Sequence, residues 1–282
     1  MILVDSNAVA HQVKHAIGNL SWNEKKVGVI FGFLAQILSL AKVFDTNRFV
    51  FTWDSRESLR TKLFPDYKRA RRREKTAEEK ELDAIAYHQF DILRKEIIPS
   101  LGFSNSFMID GYEADDLIAS ITFTNPTVEF FIISSDEDLY QLLTDKVKMY
   151  STKKKQLYTN KNLWKEYGIT PEDWTEVKAI AGCTTDSVPG VVGVGPKTAC
   201  DYINHRLAPV RKGYKSIREN RELIERNRKL VTLPFEGTPE IRLSVKNNLS
   251  LPVFQDVCNE YGFASFLSKD KYKEWKEFVF NK

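Results

Sequence analysis

The sequence predicts an α/β fold in which a mostly parallel central sheet carries helices on both faces. Two observations predict it. Short apolar runs rich in Val, Ile and Phe recur through residues 1–160, with helically patterned segments between them. Such runs suit strands buried on both faces, and strands that alternate with helices pair in parallel. Each run is also followed directly by acidic residues.

The first run, Ile2–Val4, ends at Asp5. A helix predicted over Lys25–Ala41, apolar on one face, precedes the second run, Phe49–Trp53, which ends at Asp54. Strong helix formers then fill Ala77–Ile98. The third run, Phe107–Ile109, leads into Gly111-Tyr112-Glu113-Ala114-Asp115-Asp116, and Asp115–Ile121 reads as the start of a helix. The fourth, Val128–Ser134, leads into Asp136-Glu137-Asp138, with a further helical start over Asp138–Leu143. A hairpin is expected from Lys148–Tyr150 and Gln156–Tyr158. Beyond it the chain reads as helical, with Pro171 at a first helical position after Thr170. A Gly-rich stretch follows at Gly190–Ala199, and then a polar C-terminal region that packs on the same body.

With 282 residues, 42% apolar and 28% charged, the composition is that of a soluble globular chain. No apolar run approaches the roughly 18–20 residues that span a bilayer. The N-terminus lacks a basic leader and cleavage site, so a cytoplasmic protein without membrane association is expected. Cys183, Cys200 and Cys258 show no C-x-x-C spacing, which argues for a reducing compartment and against a disulfide framework or zinc ribbon. The formal charge of +4 conceals opposing blocks. Nine basic residues face three acidic ones over Ser55–Thr76, and again over His205–Lys229, whereas Asp110–Asp145 holds nine acidic residues and no Lys or Arg.

In parallel sheets, ligands bind outside the carboxyl ends of the strands. A single Asp there is ordinarily a turn residue or helix cap. Here four strands deliver Asp5, Asp54, the Glu113-Asp115-Asp116 group, and Asp136 with Asp138, and Asp186 is a candidate to join them. Two unit charges about 4 Å apart repel by roughly 4 kcal/mol at an effective dielectric of 20, so such a pocket requires cations. Oxygen ligands favour Mg²⁺ or Mn²⁺ over Zn²⁺, and the four histidines (His11, His15, His88, His205) are scattered. Two such ions roughly 3.5–4 Å apart are a common device for phosphodiester cleavage.

Ile2-Leu3-Val4-Asp5-Ser6-Asn7, Trp53-Asp54, Phe64-Pro65-Asp66-Tyr67-Lys68-Arg69-Ala70-Arg71, Tyr112–Asp116 and Ser134–Asp138 resemble the 5′-nuclease (flap endonuclease) family. So do Lys178–Gly182 and Gly193–Ala199. The resemblance is to the bacteriophage 5′–3′ exonuclease (ribonuclease H) branch and to the 5′-nuclease domain of bacterial DNA polymerase I. It implies a metal-dependent 5′-nuclease acting on branched or 5′-ended DNA in primer or flap removal. Its catalytic core would span residues 1–160, with a helical arch at about 55–98. Residues 161–282 would supply Asp186 and a helix–hairpin–helix-type element at about 188–204. Two divalent cations are implied, Mg²⁺ with Mn²⁺ as the alternative. Asp5, Asp54, Glu113 and Asp115 would hold the first, and Asp136, Asp138 and Asp186 the second, with Asp116 as a supporting carboxylate. Lys68 and Arg71 would act on the scissile phosphate. Tyr67, Lys178, Gly193, Gly195, Lys197 and Thr198 would contact DNA, with K⁺ a candidate at the hairpin element. Packing beneath the arch and stacking on a base weigh equally for Tyr67, and a solvated basic face is the plainer reading of Arg69, Arg72 and Arg73. A monomer is expected, with 5′ flaps, duplexes bearing a 5′ single-stranded arm, RNA–DNA hybrids and replication proteins as its partners.

The sequence departs from the family pattern at Gly182-Cys183-Thr184-Thr185-Asp186-Ser187, where Cys183 stands for an Asp and Ser187 for an Asn. The favoured expectation is an inert buried thiol and a weakened second metal site, the alternative a soft ligand better suited to Mn²⁺ than to Mg²⁺. A rival reading is a structure-specific DNA-binding protein with vestigial chemistry. An RNA-processing nuclease is disfavoured by the Gly190–Ala199 element.

Overall fold

Each predicted apolar run contributes a strand in the computed structural model, which describes residues 1–282 apart from Arg73, Val245 and the side chains of Arg71 and Arg72. These are β1 (Ile2–Asp5), β2 (Phe49–Thr52), β3 (Ser106–Phe107) and β4 (Phe130–Ile133), followed by β5 (Val147–Ser151) and β6 (Gln156–Tyr158). They form one sheet in the order β3-β2-β1-β4-β5-β6. Strands β1 to β5 pair in parallel, and β6 returns antiparallel to β5 as the expected hairpin. β1 sits between β2 and β4, with Ile2 opposite both Phe49 and Phe131. The direction of strand succession reverses there, so a crevice opens at the carboxyl ends of β1 and β4.

Alternate residues of each strand enter different cores. Leu3, Val50, Phe130 and Ile132 face one apolar cluster, and Ile2, Val4, Phe49, Phe51 and Ile133 face the other. Helices α1 (Ser6–Ile17) and α2 (Gly28–Phe44) cover the second face together with α10 (Leu251–Glu260). Helices α4 (Ala114–Thr124) and α6 (Pro171–Ala181) cover the first. The C-terminal region thus packs on the same sheet through Phe254 and Trp275. Among the described residues, no helix is long and apolar enough to cross a membrane.

Local chemistry sets the helix limits. α2 starts three residues later than expected because Lys25-Lys26 pair with Ser21-Trp22 in a small hairpin. Its first free N–H groups, of Val29 and Ile30, are taken by the buried Gln89 side chain. Within the predicted stretch Ala77–Ile98, a Thr76–Glu79 capping box opens α3 (Ala77–Ile92), which then widens into a π-helical turn at Leu93–Ile97. The predicted third run pairs only at Ser106–Phe107, and Met108 and Ile109 leave the ladder. The turn after β4 is a 3₁₀ helix, Glu137–Leu142. α5 (Asn160–Tyr167) and α6 are each opened by a capping box, and Pro171 occupies the first turn of α6 as expected.

One buried ion pair holds this frame around the crevice. Arg60 and Asp116 are 2% and 0% exposed. The guanidinium donates to both carboxylate oxygens of Asp116, at 2.7 and 2.8 Å, and its Nε donates to the Leu230 carbonyl. Asp116 also accepts from the backbone N–H groups of Glu113 and Phe235. The segment after β2, the start of α4 and the chain beyond α9 (Arg221–Val231) therefore meet on one carboxylate. Replacing Arg60 by Met should leave that charge buried and uncompensated, costing about 3–5 kcal/mol of unfolding free energy in urea denaturation. A loss below about 1 kcal/mol would show that the pair is not an anchor.

Candidate metal centre

Asp5 closes β1 and caps α1, its Oδ1 accepting from the Ala8 N–H at 3.0 Å and its Oδ2 from the Ser134 hydroxyl at 3.0 Å. Asp54 follows β2 and accepts from the Ala114 N–H at the start of α4, while its own N–H donates to the Asn7 side chain. Glu113 caps α4, and Asp115 sits in that helix's first turn. Asp136 caps the 3₁₀ turn after β4 by accepting from the Asp138 N–H. The acidic residues that close strands are thus helix caps as well, and that double duty fixes their direction.

Electrostatics show how close they lie. Burial, then Asp54 and Asp136, pushes the Asp5 carboxyl up to about 7. Burial, then Asp136, Asp5 and Asp54, holds Asp115 well above the usual carboxylate range. Burial and Asp136 raise Asp138 to about 6. Asp115 Oδ1 is buried without a hydrogen-bond partner. A buried orphan oxygen among mutually repelling carboxylates is the signature of a site that fits a hard divalent ion.

A cationic and phenolic bracket closes the other side. Lys68 Nζ lies 2.9 Å from Glu113 Oε2 and 4.0 Å from Asp186 Oδ1. Burial would raise Glu113, but Lys68 and Arg60 beside it keep its carboxyl below the ordinary value. Lys68 itself has φ of +55°, a left-handed backbone, and its N–H donates to the Asp186 carbonyl at 2.7 Å. Asp186 is buried and stands with Asp138 and Cys183, one ligand atom of each within 4.8 Å of those of the other two.

The structure brings together Asp5, Asp54, Glu113, Asp115, Asp136, Asp138, Asp186 and Lys68. For Asp116 and Tyr67 the structure narrows the expectation, and for Lys178 it departs from it. Asp116 is committed to Arg60 and faces away from solvent entirely, so it acts as an anchor and not as a carboxylate open to substrate. Tyr67 is 3% exposed, with its hydroxyl donating to Glu113 at 3.0 Å, which places its ring beneath the segment and not in a position to stack on a base. Lys178 was expected to contact DNA, yet it is 9% exposed and its Nζ lies 2.6 Å from Asp138 Oδ1, inside the pocket. The Arg71 side chain, like those of Arg72 and Arg73, lies outside the described residues. Gly193, Gly195, Lys197 and Thr198 gather at the N-terminus of α7 (Pro196–Ile203). Gly193 has φ of +76°, and added Cβ atoms at it and at Gly195 would meet nothing within 4 Å, so this turn is open. Arg60, Asn7 and Ser134 orient the site without having been singled out. Asn7 and Ser134 lie inside the quoted motifs, whereas nothing in the basic block distinguishes Arg60 from its neighbours. A cleft of about 1360 Å³ runs from Asp54 between α1 and α3, with Asn7, His11, Tyr87, Arg94 and Lys95 on its walls.

Residues 1–168 match the family model described as "5′-3′ exonuclease, N-terminal resolvase-like domain". The chain is 34% identical to a 5′-3′ exonuclease of Bacillus subtilis, covering 72% of this chain and 69% of that protein. It is 28% identical to a 5′-3′ exonuclease of Buchnera aphidicola, over 88% of this chain and 81% of that one. Among solved structures, T5 5′-exonuclease with bound zinc ions matches at a TM-score of 0.72 and 25% identity, covering 83% of this chain and 89% of that one. A bacteriophage T5 D15 flap endonuclease complex with DNA and metal ions matches at 0.69 and 26% identity over the same shares.

The raised carboxyls carry a pH signature. Asp5 and Asp138, at about 7 and about 6, keep protons in the folded chain that the unfolded chain, at 3.8, has released. A folded state that binds more protons loses stability as pH rises. In EDTA the melting temperature should therefore fall from about pH 5 to about pH 7, and saturating divalent cation should remove the fall. A melting temperature that stayed level or rose across that window in EDTA would contradict this electrostatic account.

Proposed function

The chain belongs to the 5′-3′ exonuclease family, and on that premise we propose that it hydrolyses phosphodiesters at 5′ flaps and 5′ ends of branched DNA, leaving 5′-phosphates. The observation that carries this reading is the convergence of strand-end carboxylates at the crevice, bracketed by Lys68. Asp5, Asp54, Glu113 and Asp115 would hold one divalent ion, and Asp136, Asp138 and Asp186 a second, with Mg²⁺ the default and Mn²⁺ the alternative. When bound, two such ions supply a more acidic water and neutralise charge on the scissile phosphate.

The protein's own groups perform the rest. The Ala114 N–H and the Ser134 hydroxyl hold the Asp54 and Asp5 carboxylates, and Asn7 fixes the Asp54 backbone, so the pocket needs little reorganisation when substrate arrives. Lys68, partly exposed at 21%, reaches over Glu113 and can swing its ammonium onto a phosphate oxygen that enters the pocket. Lys178 stays on Asp138, offsetting part of the negative charge from beneath. The cleft beside Asp54 offers Arg94 and Lys95 to the single-stranded 5′ arm. The turn at Gly193–Gly195 would let a duplex backbone approach the N–H groups opening α7, with Lys197 and Thr198 beside them and K⁺ a candidate bridging ion. Such contacts are sequence-independent, which suits a monomeric enzyme removing primers or flaps in a cytoplasm alongside replication proteins, RNA–DNA hybrids included.

A labelled 5′-flap duplex tests the reading. Cleavage is expected with Mg²⁺ or Mn²⁺, and Asp5→Asn should abolish it while retaining binding in EDTA. Lys68→Ala should lower the single-turnover rate about 10²–10³-fold, the usual cost of losing a preorganised charge at a reacting group. Binding without cleavage in either metal, indifferent to Asp5→Asn, would favour the DNA-binding protein instead. Separately, Lys197→Ala should weaken duplex binding alike for all sequences and reduce the slope of log affinity against log salt by about 1. An unchanged slope would remove Lys197 from the interface.

A further inference from the structure

Cys183 occupies a position that an inert core thiol does not need. It is the end residue of a two-residue strand, Gly182–Cys183, that pairs antiparallel with Val188–Pro189. The turn between them returns the chain so that Asp186 comes back beside Cys183, where Asp138, from the 3₁₀ turn after β4, also lies. All three side chains are buried, and their ligand atoms lie within 4.8 Å of one another. One ion can satisfy that spacing with small side-chain adjustments, given metal–sulfur distances of about 2.3 Å and metal–oxygen distances of about 2.0–2.2 Å. Charge counts point the same way. Two carboxylates and a thiolate carry three negative charges, and a divalent ion with Lys178, already 2.6 Å from Asp138, brings three positive ones. The Thr185 hydroxyl lies 3.0 Å from the sulfur, placed to hold it in orientation as a second layer around a metal ligand does.

We propose that Cys183 is a metal ligand and that it gives this half of the centre a preference for thiophilic divalent ions, of the Zn²⁺, Co²⁺ and Cd²⁺ kind, over Mg²⁺. The proposal takes its location from the nuclease reading but concerns ion choice. The other half, around Asp5, Asp54 and Asp115, offers oxygen only and keeps its preference for hard ions. A sulfur ligand in place of oxygen shifts affinity toward the softer metals, and binding releases the thiol proton. The centre is then asymmetric, with one hard and one soft position.

The test uses the full chain, stripped of metal and titrated with Co²⁺. A thiolate-to-cobalt charge-transfer absorption should grow in and saturate at one ion per chain. It should be absent in Cys183→Ser and present in Cys200→Ser. Loss of an outer-layer partner alone costs roughly 10–100-fold in metal affinity, so Cys183→Ser should weaken Cd²⁺ binding at least that much in calorimetry. Cys183→Asp should shift the Mg²⁺-to-Cd²⁺ affinity ratio toward Mg²⁺, with the urea midpoint of each variant reporting that it is folded. No charge-transfer band in the unmutated chain, a band that survives Cys183→Ser, or an unchanged affinity ratio in Cys183→Asp would overturn the assignment. Flap cleavage keeps the two readings separate. Cleavage by Cys183→Asp with no band in the unmutated chain sinks only the ligand assignment. A band without cleavage in any metal upholds the assignment and sinks the nuclease reading.

Discussion

The Arg60–Asp116 pair ties together three parts of the chain that lie far apart in sequence. Residue 60 follows the second strand, residue 116 lies in the first turn of α4, and the carbonyl and N–H groups of Leu230 and Phe235 complete the cluster. Because Asp116 also accepts from the N–H of Glu113, the pair sets the helix start from which Glu113 and Asp115 project. A bidentate Arg–carboxylate contact has a narrow geometry, and burial makes any mismatch costly. The positions of two pocket carboxylates are thereby tied to a contact that substrate does not reach.

Around that anchor the site combines repulsion with restraint. Its carboxylates sit close enough to lift one another's proton affinity, and Asp5, Asp54 and Asp136 are each aimed by a hydrogen bond that also caps a helix or turn. The bracket of Lys68 and Tyr67 over Glu113 and Asp186 joins the segment after β2 to the segment after α6. The left-handed backbone at Lys68 keeps its N–H on Asp186 while its side chain reaches Glu113. A strained residue at such a junction is stable only because the packing on both sides determines it.

The sheet and its acidic rim were legible because the physics is local. Strands buried on both faces have apolar runs, and Asp5, Asp54, Glu113 and Asp136 stand where strands stop and helices start. What the sequence concealed was direction and partnership. Lys178 lies in the last turn of α6, and no periodicity says whether its ammonium faces water or a carboxylate from another element. A buried lysine declares itself only through its partner. For Tyr67, packing and base stacking weigh equally until Glu113, forty-six residues away, is seen to accept a hydrogen bond from its hydroxyl. Arg60 was one basic residue among nine in its block, and Asp116 one acid among three in its motif, so their pairing had no sequence signal. Cys183 was visible as an oddity, and only its spacing from Asp138 and Asp186 gives it a chemistry.

The outer side of α2 is closed by the far end of the chain. Phe31 stacks on Phe266, Asn47 donates to the carbonyl of Val279, and Lys42 pairs with Glu274. Until those residues dock, strands β1 and β2 and the helix between them have one apolar flank wet. Contacts spanning more than two hundred residues carry a loop-closure cost that the docked segment must offset. A chain in that state leaves its wet flank exposed to other chains. Protection of that flank arrives only when residues 251–280 dock.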